Sequence, residues 1–325
     1  MKNGALDNLI AELKQIQADF YKQFGVTDII TNSKIFEILI ADSLNHILIP
    51  GHSGSRDAKD SDGGEFEYKH YKESSSNHTW TFNDFSDTTI KKLNNVKAVI
   101  FAHINDINLT LPKFDWYYEV PGEVMSKYLA QSTLKIRNSR KMINVSSKQI
   151  ELLGIKKKPN DVVVDGHYAS WVKRIVEVVI KIEEQVGTKG ILTSNKFWEV
   201  VVALKLGHKV ESEQAKHDAT DEFGNAYEYK VAKNHTWSFQ DISKVVLNKY
   251  LSDKSIILAV VDKDEFLVKN IYEAEPKKVV TLLRKKLLLK KKRYATSGRE
   301  VRRKQISLSS ADLKRLKAKT IYKLE

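Results

Sequence analysis

Four polar positions recur in the two halves of the chain at nearly the same spacing. They are Glu37, Asp57, Glu67 and Lys69 in the first half and Glu199, Asp218, Glu228 and Lys230 in the second. In each half the Asp stands ten residues before the second Glu, which stands two residues before the Lys. Residues i and i+2 of a strand share a face, so we expect Glu67 and Lys69 to project together while Phe66 and Tyr68 enter a core.

Carboxylates beside a lysine are the groups that phosphodiester hydrolysis needs. Asp and Glu oxygens are ligands that Mg²⁺ prefers, and a bound divalent cation acidifies water and neutralises charge in the transition state. A neighbouring lysine can orient or activate the attacking water and stabilise negative charge. The alternative is an ordinary exposed strand of alternating Glu and Lys, which one copy alone would favour. The presence of two copies favours the catalytic interpretation.

The chain carries a long internal repeat. TNSKIFEILIADSL from Thr31 matches TSNKFWEVVVALKL from Thr193, and NHTWTFNDFS from Asn77 matches NHTWSFQDIS from Asn234. RKMINVSSKQIELL from Arg140 likewise matches RKQISLSSADLKRL from Arg303. Order and spacing hold over nearly the full length, so both copies have about the same fold. We predict a first lobe at 1–158, a linker at 159–165 and a second lobe at 166–325, which together form a pseudo-dimer in one chain.

Each copy has the same predicted order of elements. An amphipathic helix is followed by a second helix capped by Asn32/Ser33 or Thr193/Ser194, then by a strand, a turn rich in Asp and Gly, and the strand EFEYK or YEYK. A helix, a buried strand and a basic helical region complete the copy. This order predicts an α/β fold with a mixed central sheet flanked by helices. Asp60 and Asp221 also match between the copies. We expect them near the hairpin turn, although they remain alternative metal ligands.

The segments Asp57…Glu67-Tyr68-Lys69 and Asp218…Glu228-Tyr229-Lys230, each behind a helix with a glutamate, resemble the PD-(D/E)XK nuclease superfamily and especially type II restriction endonucleases. The resemblance covers 31–106 and 193–264. It implies that Asp57, Glu67, Asp218 and Glu228 bind Mg²⁺, with Mn²⁺ able to substitute, and that Glu37 and Glu199 are further candidate ligands. Lys69 and Lys230 would assist the water. One departure is that Arg56 and His217, rather than proline, precede the two aspartates.

The basic charge is concentrated at the C-terminus. The net charge is +13, and residues 281–325 hold sixteen Lys and Arg against three acids, which leaves the rest of the chain balanced. Such a concentration favours a polyanion such as DNA, whereas the alternative is a solvated basic face. Ser147 and Ser310 are predicted helix N-caps near two of the basic pairs. The residues expected to contact phosphate or read guanine are Arg140, Lys141, Arg299, Arg302, Arg303 and Lys304.

The shared NHTW block follows the ExK strand in both copies. Asn77, His78, Asn234 and His235 are candidates for DNA contact. Trp80 and Trp237 are better explained as core residues that open a helix.

These features predict a monomer that cuts both strands of double-stranded DNA, one strand in each lobe, beside a companion DNA methyltransferase. The absence of cysteine excludes disulfides and thiolate metal sites and suits the cytoplasm. There is no run of about 18 apolar residues, no signal-peptide core and no GxxxxGK phosphate loop. The alternatives are a structure-specific repair or junction nuclease and a DNA-binding module without catalysis.

Overall fold

The computed structural model describes residues 4–30, 34–50, 56–107, 111–134, 136, 141–160, 166–192, 196–211, 215–297 and 304–324. Contacts divide the chain into two compact units. We call Gln15–Ile29 with Ser33–Glu177 the first lobe, and Met1–Lys14 with Ile30–Asn32 and Val178–Glu325 the second lobe. Part of the predicted linker, 161–165, and the predicted caps Asn32/Ser33 and Thr193/Ser194 lie outside the described residues. The boundary at 159–165 therefore stays a prediction.

Up to residue 160 the chain forms one sheet of six strands with helices around it. The strands β1 (Ile47–Leu48), β2 (Ala58–Lys59), β3 (Glu65–Lys72), β5 (Ala98–Asn105), β6 (Lys113–Pro121) and β8 (Lys158–Pro159) lie in the order β1-β2-β3-β5-β6-β8. β3 pairs with β5 in parallel, and the other neighbours are antiparallel. A separate ribbon joins β4 (Trp80–Phe85) to β7 (Lys141–Val145). The helices are α1 (Gly4–Phe24), α2 (Lys34–Ser43), α3 (Asp87–Lys92), α4 (Gly122–Thr133) and α5 (Ser147–Glu151).

The rest of the chain repeats this plan. Its sheet has the order β16-β14-β13-β11-β10-β9, with β11 parallel to β13, and β12 pairs with β15 in a separate ribbon. These strands are β9 (Lys209–Val210), β10 (Ala219–Thr220), β11 (Ala226–Ala232), β12 (Thr236–Phe239), β13 (Ser255–Asp262), β14 (Leu267–Ala274), β15 (Ile306–Ser309) and β16 (Lys319–Lys323). The helices are α6 (Ala169–Val186), α7 (Lys196–Leu206), α8 (Lys244–Leu251), α9 (Pro276–Thr296) and α10 (Ser310–Leu316). The predicted mixed α/β architecture is confirmed. Among the described helices, none is long and apolar enough to cross a bilayer.

One fully buried tryptophan in each ribbon bonds the ribbon to the neighbouring sheet. The indole N–H of Trp80 donates to the Ala102 carbonyl at 2.8 Å, and that of Trp237 donates to the Ala259 carbonyl at 2.9 Å. Their predicted place in the core is confirmed. The prediction that they open a helix is wrong, because the next inward aromatic residue follows two positions later, which is the period of a strand.

The short helices α5 and α10 begin with capping boxes. Ser146 and Ser309 are the N-caps, and their backbone N–H groups donate to the side chains of Gln149 and Asp312 at 2.8 Å. The predicted caps, Ser147 and Ser310, are therefore wrong by one residue. The reason is that the reciprocal bond needs its polar partner three positions after the cap, and only the first serine of each pair has one there.

Candidate active site

Backbone pairing holds each aspartate beside the ExK strand. The Asp57 N–H donates to the Phe66 carbonyl at 2.8 Å, and its Oδ2 accepts the Tyr68 N–H at 2.7 Å. Asp218 repeats this arrangement, since its Oδ2 accepts the Tyr229 N–H at 2.7 Å. Phe66 and Tyr68 are each 3% exposed, so they enter the core as predicted. The aspartate is thus fixed by the same ladder that orients the next two catalytic candidates.

The glutamate and lysine of each ExK segment do project together, as the two-residue spacing predicts. The Lys69 Nζ donates to Glu67 Oε1 at 2.5 Å and to the Tyr68 carbonyl at 3.0 Å. In the second lobe the Lys230 Nζ donates to Glu228 Oε1, also at 2.5 Å. Both glutamates are buried, so each ion pair lies where solvent screens it weakly.

The helix glutamate joins this group in the first lobe. Glu37 lies on α2, where Lys34, one turn earlier, donates to its carboxylate. Burial, and then the charge of Asp57, raise the pKa of Glu37. Burial raises the pKa of Glu67 to about 7, against the opposing charge of Lys69. Three carboxylates and two ammonium groups therefore share one partly buried site.

The second lobe builds the same constellation from its own residues. The Lys196 Nζ on α7 donates to Glu199 at 2.8 Å. Burial and the charge of Asp218 raise the pKa of Glu199, and burial and the charge of Glu228 raise that of Asp218. The structure therefore brings together all four repeated polar positions in each lobe.

The two sites differ at the glutamate of the ExK segment. In the second lobe, Lys249 from α8 lies 2.9 Å from Glu228 Oε2, while Lys230 holds Oε1. Beside them His217 pairs with Asp253, and burial raises the pKa of Asp253 to about 6. Glu228 thus has an ammonium group at each oxygen.

Three lysines of these sites were missed in the sequence. Lys34 and Lys196 occupy the same position of the repeated TNSK and TSNK segments, three residues before the helix glutamate. A spacing of three places the lysine and the glutamate on the same helix face, so the sequence contained the pattern that predicts these ion pairs. Lys249 lies twenty-one residues after its partner Glu228, and no local pattern relates the two.

Asp60 and Asp221 brace the hairpin turns, as expected. Asp60 Oδ1 accepts the backbone N–H of Gly64 at 2.7 Å, and Asp221 Oδ1 accepts that of Asn225 at 2.9 Å. Salt bridges with Lys97 and Lys254 hold their remaining oxygens.

The four candidates of the NHTW block lie after the ExK strand, in the connection to the ribbon. Asn77, His78 and Asn234 are exposed. His235 is half-buried, with Nε2 3.0 Å from the Tyr272 hydroxyl. Their location agrees with the sequence, while contact with DNA stays a prediction.

The basic candidates have different environments. Lys141 is 6% exposed and its ammonium pairs with Asp87, whereas Lys304 is exposed. A buried, paired ammonium does not favour a phosphate contact by Lys141. The candidates outside the described residues are Arg140, Arg299, Arg302 and Arg303.

The donor set suits a divalent cation. Carboxylate oxygens are hard ligands. The pKa values of Glu37 and Glu67 are raised because burial and repulsion between the carboxylates disfavour their charged forms, which a bound cation would stabilise. Within the described parts of the chain, no three His, Asp or Glu side chains are already arranged to hold an ion. In the first lobe the ammonium groups of Lys34 and Lys69 contact the glutamate oxygens instead.

Residues 1–160 match the family described as restriction endonuclease PvuII. This half of the chain belongs to the PD-(D/E)XK superfamily. It is a type II restriction endonuclease-like domain, of a family that typically uses a divalent metal, and the predicted resemblance is confirmed for it. The match does not reach the second copy, whose likeness rests on the internal repeat and on its geometry. A search of curated proteins found no match.

The PD-(D/E)XK lobe offers a pH test of its buried glutamate. We expect Glu67→Gln to gain stability relative to the parent as pH rises from 4.5 to about 7 in metal-free buffer. The folded state holds the Glu67 proton more tightly than the unfolded state, so the parent loses stability across that window. Urea unfolding of both proteins at several pH values measures the difference.

A matched control is Glu123→Gln, because a hydrogen bond from Lys127 lowers the pKa of this exposed glutamate. Its small effect should run the other way and below pH 4.5, where the parent is favoured as pH rises, so the Glu123→Gln difference should stay nearly constant from 4.5 to about 7. A Glu67→Gln difference that does not change with pH would contradict the assignment.

Proposed function

We propose that the protein is a type II restriction endonuclease that hydrolyses both strands of double-stranded DNA with Mg²⁺, one strand in each lobe. The observation that carries the proposal is the repeated constellation of three carboxylates and an ExK lysine. One copy lies in a restriction endonuclease domain, and the other has the same backbone bonds and ion pairs.

The first metal would be held by Asp57 and Glu67, with Glu37 nearby, and the second by Asp218 and Glu228, with Glu199 nearby. Mn²⁺ should substitute for Mg²⁺. A bound divalent cation supplies Lewis-acid polarisation of the phosphate and acidification of water. Asp57 is preferred over Asp60, and Asp218 over Asp221, because the latter member of each pair is engaged in the turn.

The lysine acts as a cation in this proposal. Burial by itself would lower the pKa of Lys69, but the charges of Glu67 and Asp57 outweigh burial and raise it. In the second lobe the charges of Glu228 and Asp218 likewise outweigh burial and raise the pKa of Lys230. Both side chains therefore keep their proton at neutral pH, and their task is to orient the attacking water and stabilise charge on the phosphate.

Residues around the sites would contact DNA. We include the NHTW candidates Asn77, His78, Asn234 and His235, and the basic candidates Arg140, Arg299, Arg302, Arg303 and Lys304. Lys141 is left out because its ammonium pairs with Asp87 inside the lobe.

Two different sites in one chain allow cutting by a monomer. Because the copies have diverged, the recognition sequence need not be a perfect palindrome. We place the protein in the cytoplasm, beside a companion DNA methyltransferase that protects host DNA.

The direct test is incubation of supercoiled plasmid and several unmethylated DNAs with Mg²⁺, Mn²⁺ or EDTA. Discrete linear fragments with either metal and intact DNA in EDTA are expected. Cleavage of branched DNA alone would favour a junction nuclease instead. Binding to every DNA without cleavage would favour a module that only binds.

A further inference from the structure

The second lobe has a positively charged cleft outside the constellation of its ExK segment. The cleft has a volume of about 250 Å³ and lies between the start of α8 and the middle of α9. Among its described lining residues are four cationic side chains and apolar ones such as Leu247, and none of these described residues is an acid. The four are Lys244, Arg284, Lys291 and Lys304.

These four cations are exposed, and none of them forms an ion pair with any residue that the structure describes. By contrast, the neighbouring Lys286 on α9 pairs with Asp312. Like charges gathered around a concave surface repel one another, and a bound anion relieves that repulsion. The N-terminus of α8 also carries a partial positive charge, which likewise favours a bound anion.

At the corresponding place, the first lobe has an ion pair instead of a cluster of cations. In the second lobe the Ile242 N–H donates to the Lys304 carbonyl, and in the first lobe Phe85 pairs with Lys141. Ile242 therefore corresponds to Phe85, and Lys304 corresponds to Lys141. The next position but one, Lys244, thus corresponds to Asp87, whose carboxylate pairs with Lys141. An internal ion pair in one lobe is replaced by two lysines in the other.

The helices differ in the same sense. The buried residues Met125 and Leu129 of α4 correspond to Val279 and Leu283 of α9, which places Arg284 where the first lobe has Ala130. α4 ends at Thr133, whereas α9 continues to Thr296 and thereby supplies Lys291. Each change adds positive charge to the cleft, so the described residues of the two lobes have diverged in charge at this place.

We propose that this cleft binds a backbone phosphate of the DNA, apart from the phosphate that the second lobe cuts. The proposal rests on the proposed function for the identity of the polyanion. α8 links the two places, because its Lys244 lines the cleft and its Lys249 contacts the catalytic glutamate Glu228. Five residues of helix span about 8 Å, so the anchored phosphate lies within a few nucleotides of the cut.

The first experiment measures DNA affinity against salt concentration in buffer without Mg²⁺, so that DNA stays whole. Lys244→Ala/Arg284→Ala should weaken binding and make the slope of log affinity against log salt shallower by about 1 for each phosphate that is no longer bound. The matched control, Lys277→Ala/Lys285→Ala, removes the same charge from exposed positions of α9 outside the cleft. Its slope should equal that of the parent. Equal slopes for all three proteins would overturn the proposal.

The second experiment locates the bound phosphate with duplexes in which one phosphate at a time is a neutral methylphosphonate. The parent should lose affinity at one position within a few nucleotides of the cut of the second lobe, and the cleft variant should show no further loss there. The equivalent position for the first lobe should have no such effect. Equal losses in parent and variant at every position would overturn the proposal.

Inorganic phosphate distinguishes the other source of the same chemistry. Phosphate is added at matched ionic strength. If it binds to the parent while the salt slope of DNA binding is the same for the cleft variant and the control, the cleft is a site for free phosphate and the proposed binding of DNA there is wrong.

Cleavage is scored separately with Mg²⁺. If the parent cuts DNA and the slopes are unchanged, only the role of the cleft is refuted. If the parent binds DNA through the cleft without cutting it, only the nuclease function is refuted.

Discussion

Lys69→Ala and Lys230→Ala should each convert the product of plasmid cleavage from linear DNA to nicked circles. Each lysine lies 2.5 Å from the glutamate of its own lobe, so its loss removes positive charge from one site and leaves the other intact. We expect one strand to be cut at least ~100-fold more slowly, the lower end of what a positioned catalytic side chain contributes. Gel separation of supercoiled, nicked and linear plasmid over time measures both steps.

The double variant should cut neither strand. Lys72→Ala is the matched control, because this lysine belongs to the same strand β3 but contacts Asp106 at the strand's far end. It should yield linear plasmid at the parental rate. Linear product from either single variant at the parental rate would refute an active site in that lobe. Loss of both nicks in one single variant would instead show that the sites are not independent.

Replacing the ribbon tryptophans should have the largest effect on stability. Trp80→Ala and Trp237→Ala each empty a fully buried site, and we expect a loss of about 3–5 kcal/mol in the free energy of unfolding of the lobe concerned. Each also leaves a buried carbonyl, of Ala102 or Ala259, without its indole donor. Urea or thermal unfolding followed by tryptophan fluorescence and circular dichroism measures the loss.

A second tryptophan of the same lobe separates packing from hydrogen bonding. Trp198 is 1% exposed, and its indole N–H has no hydrogen-bond partner among the described residues. Trp237→Phe should therefore cost about 0.5–1.5 kcal/mol more than Trp198→Phe, since only the former removes a hydrogen bond to a buried carbonyl. Equal costs for the two replacements would show that the bond to Ala259 contributes nothing measurable.

Much of the site could be predicted because its chemistry is local in the chain. The strand period of two decides that Glu67 and Lys69 share a face, and the ten-residue step from Asp57 spans one hairpin. A second copy with the same spacing made a chance match improbable. The basic C-terminal region was visible in the composition alone.

Other features depend on how distant segments pack. The tryptophans could equally have opened helices, because a short apolar segment fits either period until its ribbon partner is known. The contact of Lys249 with Glu228 arises only when α8 packs beside β11. The cleft likewise needs α8, α9 and Lys304 together, since no local pattern brings Lys244 and Lys304 to one surface. The sequence by itself thus determined the two ExK segments, whose geometry depends on neighbouring residues. Only the tertiary structure decided which charges from elsewhere in the chain surround them.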